Sequence, residues 1–95
     1  MLTLNAEFFE SLVGKKLAYN NPNAVEIWQV TRVTRRELHQ LRQDQPFNVY
    51  LAAPAGNDRA QGVKRLVLPD DQTVELFAVP IGATADAVSY EVIFN

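Results

Sequence analysis

From Val88 to Phe94 the side chains fall into two alternating sets, Val88, Tyr90, Val92 and Phe94 against Ser89, Glu91 and Ile93. A two-residue period marks a β-strand, because successive side chains point to opposite faces of the pleat. Five further short segments are β-forming, and turn-forming residues bound them. This pattern confines the chain to a mainly β fold.

Lys16 to Tyr19, the turn cluster Asn20-Asn21-Pro22-Asn23 and then Ala24 to Val33 predict a first hairpin. In its second strand Val25, Ile27, Gln29, Thr31 and Val33 share one face, and Glu26, Trp28, Val30 and Arg32 share the other. Apolar residues on both faces predict a central strand. Phe47 to Ala53 is the third strand, with Phe47, Val49 and Leu51 on one side, and Pro54-Ala55-Gly56-Asn57-Asp58 breaks it. Gly62 to Leu68 and Thr73 to Val79 form a second hairpin through Pro69-Asp70-Asp71-Gln72. Pro80 has no amide hydrogen to donate, so the chain is expected to leave the sheet there and return at Val88.

One helix precedes the strands. Asn5 is a suitable N-cap, Glu7 lies in the first turn, and Gly14 is placed to end a helix running from Ala6 to Val13. Phe8 and Leu12 share its apolar side, with Phe9 a further candidate. Thr34 to Gln45 has two readings. Thr34-Arg35-Arg36-Glu37 fits a capping box opening a short helix at about 35–43, or the stretch is a loop that Pro46 ends. The sum is a mainly β (α+β) chain: a six-stranded antiparallel meander able to curl into a small barrel, with one N-terminal helix.

A length of 95 residues suits a single domain, 1–95, with one core. No cysteine is present, so disulfides, thiolate metal sites and a cysteine nucleophile are excluded. The first residues lack the basic and apolar regions of a signal peptide, which makes a soluble cytoplasmic protein the expectation. The net charge of −2 is too small a field to hold a polyanion, so generic nucleic-acid binding is disfavoured. The signs are unevenly spread: six basic and five acidic residues occur through Phe47, and three basic and six acidic from Asn48 onward.

Phe8-Phe9, Leu12-Val13-Gly14, Pro46-Phe47, Leu76-Phe77-Ala78-Val79-Pro80-Ile81-Gly82 and Tyr90-Glu91-Val92-Ile93-Phe94-Asn95 together resemble a family of roughly ninety-residue bacterial proteins of unknown function. The resemblance spans nearly the whole chain. Its members are often encoded near proteins resembling phage-tail collars or microcystin-dependent proteins. The resemblance therefore implies an accessory or assembly role, phage-tail-like or secretion-associated, and supplies no catalytic residues.

Candidate chemistry is sparse. His39 is the sole histidine, so a nucleophilic triad would need it with Ser11 or Ser89 and with Asp44 or Asp86, and neither serine has a nucleophile-elbow context. Asp70 and Asp71 are the only adjacent carboxylates, and a hairpin turn explains them better than a cation site. Glu7 and Glu10 fit a wet helix face more simply than an acid–base pair. Gly56 to Gly62 lacks the lysine and hydroxyl of a phosphate loop. No catalytic residue, metal or cofactor is expected.

The sharper feature is Arg32, Arg35, Arg36 and Arg42 with His39 among them, because guanidinium groups pair bidentately with carboxylate or phosphate. The competing explanation is a solvated charged face. Trp28 joins this set as a partner anchor only if it is exposed beside Tyr19. The expected function is a non-enzymatic interaction or assembly module, using the arginine segment or an open sheet edge to hold a protein partner or a second copy. Two alternatives stand beside it. One is a small nucleic-acid-binding barrel with Trp28, Tyr19 and Tyr50 as stacking groups; the other is a small-ligand site inside the barrel.

Overall fold

The computed structural model describes residues 3–22, 24–37 and 45–95. It contains one short helix, α1 (Ala6–Glu10), and six strands: β1 (Lys16–Asn21), β2 (Ala24–Arg35), β3 (Phe47–Pro54), β4 (Gly62–Val67), β5 (Thr73–Ala83) and β6 (Ala87–Phe94). Every ladder is antiparallel, and the strands close into a barrel in the order β1-β2-β3-β6-β5-β4. Closure gives every strand two neighbours over at least part of its length.

The barrel is the expected one, but its order is not a simple meander. β1 to β3 form one three-stranded meander and β4 to β6 another, and they join through β3–β6 and β1–β4. Setting β4 beside β1 is a Greek-key connection. Residues 55–61 carry it across one end of the barrel, while α1 lies at the other. The two junctions differ in strength: β3 and β6 match along eight residue pairs, from Phe47↔Phe94 to Pro54↔Ala87. β1 and β4 match only at Ala18↔Val67 and Tyr19↔Leu66.

The two-residue period places the core well. Along β3 burial alternates at every residue, with Phe47, Val49, Leu51 and Ala53 inside. Leu66 and Leu68, Val74, Leu76 and Ala78, and Val88, Tyr90 and Val92 line the rest of the interior. β2 departs from its expected faces because its register shifts between Val30 and Arg32. This bulge adds one residue and reverses the phase. Val33 therefore packs against the core, while Val25 and Ile27, expected on the same face, stand in solvent.

β5 is longer than expected and runs through Pro80 to Ala83. β4 stops matching it at Gly62↔Ala78, so beyond Ala78 β5 has a strand on the β6 side only. A residue without an amide hydrogen is tolerated at such a one-sided position.

α1 is shorter than the sequence suggests. Asn5 caps it as expected, its side-chain oxygen accepting from the Phe8 amide at 2.9 Å. Helical pairing stops at Ser11, after which the amides of Leu12 and Val13 reach back to Phe9 and Glu10 in tight turns. Gly14 then takes φ +84°, which a residue with a side chain rarely adopts, and donates to the Val30 carbonyl at 2.8 Å.

Phe9, the further candidate for the apolar side, is fully buried, whereas Phe8 is only half-buried. Its ring meets Phe94 at 5.3 Å and Phe47 at 6.0 Å, and those two rings stack at 4.5 Å. This aromatic plug shuts the α1 end. Arg35 belongs to β2, and Thr34 and Arg35 pair with Asn48 and Phe47, so the capping box over Thr34 to Glu37 does not form. The remainder of the possible helix at 35–43, with His39 and Arg42, lies outside the described residues from 38 to 44.

Candidate functional site

Arg32, Arg35 and Arg36 are each directed at a different group of the chain itself. Arg32 lies flat over the Tyr50 ring, 4.3 Å from its centroid. Arg35 turns toward α1 and grips Glu10 through two hydrogen bonds, Nη2 to Oε1 at 2.6 Å and Nε to Oε2 at 3.1 Å, with Glu7 Oε1 at 3.3 Å from Nη2. The hydrogen bond from Arg35 holds the Glu10 carboxyl below its ordinary pKa, and the same partnership raises that of Arg35. Arg36 donates from Nη2 to the Phe94 carbonyl, and its own carbonyl accepts from Gln45 Nε2 at 3.1 Å.

These residues clamp α1 and the end of β6 onto β2. They engage groups of the chain itself, and Glu7 and Glu10 serve that clamp. Trp28 does not meet the condition set for an anchor. It is 0% exposed, stacked on Tyr90 at 4.5 Å and met edge-on by Tyr19 at 5.5 Å.

The opposite end holds a polar cluster that the sequence reading missed. Asn57, in the 55–61 crossing, is buried and points into the barrel. Its Nδ2 donates to Glu26 Oε1 at 2.8 Å, and its Oδ1 accepts from the Tyr90 hydroxyl and from the Arg59 amide at 2.6 Å. Glu26 Oε1 also accepts from the Trp28 indole at 3.0 Å. Burial pushes the Tyr90 hydroxyl pKa up, helped by the Asp58 and Glu26 charges and opposed by the Asn57 hydrogen bond.

Lys64 is only 5% exposed, and its ammonium stands 5.3 Å over the Tyr19 ring and 6.0 Å from that of Tyr90. One signal was readable beforehand, since Lys64 shares the two-residue phase of Leu66 and Leu68. The Glu26–Asn57–Tyr90 contacts depend on strand order and carried no signal. Glu26 Oε1, the Asn57 amide, the Tyr90 hydroxyl and the Trp28 indole nitrogen are joined in one chain of hydrogen bonds. These contacts tie the 55–61 crossing to β2 and β6.

Outside, apolar side chains gather on the second meander. Val63 and Phe77 are direct cross-strand partners on β4 and β5, 62% and 53% exposed. Ile93 on β6 is 52% exposed. Phe77, Val79 and Ile93 line a shallow groove of about 330 Å³. Arg65 and Glu75, a neighbouring cross-strand pair 3.8 Å apart, border this strip. Among the described residues no helix is long and apolar enough to cross a membrane.

Comparison with curated proteins and with solved structures finds no match. A family model described as "Domain of unknown function (DUF6916)" matches residues 4–94.

Proposed function

We propose that this chain, which belongs to the DUF6916 family, is a non-enzymatic interaction or assembly module that meets its partner through the outer face of β4, β5 and β6. The observation that carries the reading is the exposed strip of Val63, Phe77 and Ile93 on three adjacent strands. Grouped apolar side chains cost free energy in water, and burying them against another protein recovers it. Arg35, Arg36 and Asn57 are engaged within the chain and so compete less as a docking face. The resemblance to bacterial proteins encoded beside collar-like proteins favours an assembly role in the cytoplasm, phage-tail-like or secretion-associated.

Photocrosslinking from position 77, set against position 72 in the β4–β5 turn, tests this with light scattering on the same protein. The expected result is a discrete adduct or dimer that Ile93→Asp abolishes. A monomer that crosslinks equally from both positions rejects the reading.

A further inference from the structure

We infer that the partner joins the barrel as an added strand, laying an extended acidic segment along the Gly62–Arg65 edge of β4. The inference rests on the interaction reading and specifies how the contact is made. β5 matches β4 from Gly62 to Val67, but β1 matches it only at Leu66 and Val67. Gly62 to Arg65 therefore have a strand on one side only. An unmatched edge offers amide and carbonyl groups in the spacing an extended backbone needs.

The side chains on this edge specify the occupant. Val63 and Arg65 are two residues apart and face outward together, while Lys64 points inward toward Tyr19 of β1. The three basic residues after Phe47 are Arg59, Lys64 and Arg65, all on β4 or on the crossing that leads into it. Among the described residues no carboxylate lies in ion-pair range of Lys64, and Arg65 has only the exposed Glu75 at 3.8 Å. A second copy presenting the same edge, Gly62 to Arg65, brings further cations and no carboxylate with which to meet Arg65. The matching segment belongs to a different protein and carries an apolar residue opposite Val63 and an acidic one opposite Arg65, two positions apart.

The probe is a capped eight-residue peptide with valine and glutamate alternating at every second position and threonine between them, titrated into the isotope-labelled full chain. Expected are amide shifts and slowed hydrogen exchange at Gly62 to Arg65. Backbone N-methylation of the peptide, which removes its donors, is expected to weaken binding at least tenfold. Arg65→Glu is expected to do the same, with recovery when lysine replaces glutamate in the peptide.

No binding at millimolar peptide overturns strand addition. So does equal binding of the N-methylated peptide, or binding indifferent to Arg65→Glu. Crosslinking from position 77 does not involve the peptide, so a positive crosslink with a failed titration rejects only the added strand. Failure of both rejects the interaction reading as well.

Discussion

Where α1 lies, the barrel is shut by stacked rings and by an arginine clamp that water still reaches. Where residues 55–61 cross, it is shut by one amide that water barely reaches. At the first end the stabilisation comes from apolar area, and the ion pairs around Arg35 hold position more than they stabilise, because exposed charges are screened. At the second, each buried polar atom depends on its neighbour, and removing one strands another. The end with the visible ion pairs is the one that relies on packing.

Substitutions sharpen the contrast, and the largest effect is expected from Phe9→Ala. Emptying a fully buried ring site should cost about 3–5 kcal/mol, read from urea unfolding. Asn57→Ala should cost about 1–3 kcal/mol, because it leaves Glu26 and the Tyr90 hydroxyl each short of a partner. If Asn57→Ala proves the costlier of the two, the contrast between the ends is broken.

The ends should also fail at opposite extremes of pH. Tyr90 keeps its proton in the folded chain above its ordinary value of 10.0, so stability is expected to fall as pH rises past 10.0. Tyr90→Phe should flatten that alkaline limb in urea midpoints measured across pH. Glu10 has the reverse sign. Its pKa is depressed below 4.5, so the Arg35 clamp contributes above 4.5 and is lost as pH falls through the lower folded value. Arg35→Ala, the mildest change, should remove this acid dependence while moving the neutral-pH midpoint less than either core substitution does. A fall in stability with added salt that disappears in Arg35→Ala would locate the screening at this clamp.

Much of the fold was legible because burial in a barrel follows the pleat. The inward sets of β3 and β6, the turn at Asp70, the cap at Asn5 and the left-handed Gly14 all come from local rules. The bulge at Thr31 did not, since no glycine marks it and its cause is the curvature that closure demands. Nor did strand order, which depends on where the 55–61 crossing leads. The candidate site was less legible for the same reason. Arginines adjacent in sequence suggested a common face, but the bulge and the end of β2 direct Arg32, Arg35 and Arg36 to three different partners. Val63 and Phe77 are brought together by cross-strand register rather than by any motif.

The 55–61 crossing divides the molecule into two pieces of similar make. Four of the six ladders join strands consecutive along the chain, and only β3–β6 and β1–β4 span the crossing. Local hairpins form quickly, whereas distant pairings set the pace of folding. A chain nicked after Asp58 would keep every local hairpin in one fragment or the other. Reassembly would then fall to the long β3–β6 junction, which makes this peptide bond the natural place to split the protein into complementing halves.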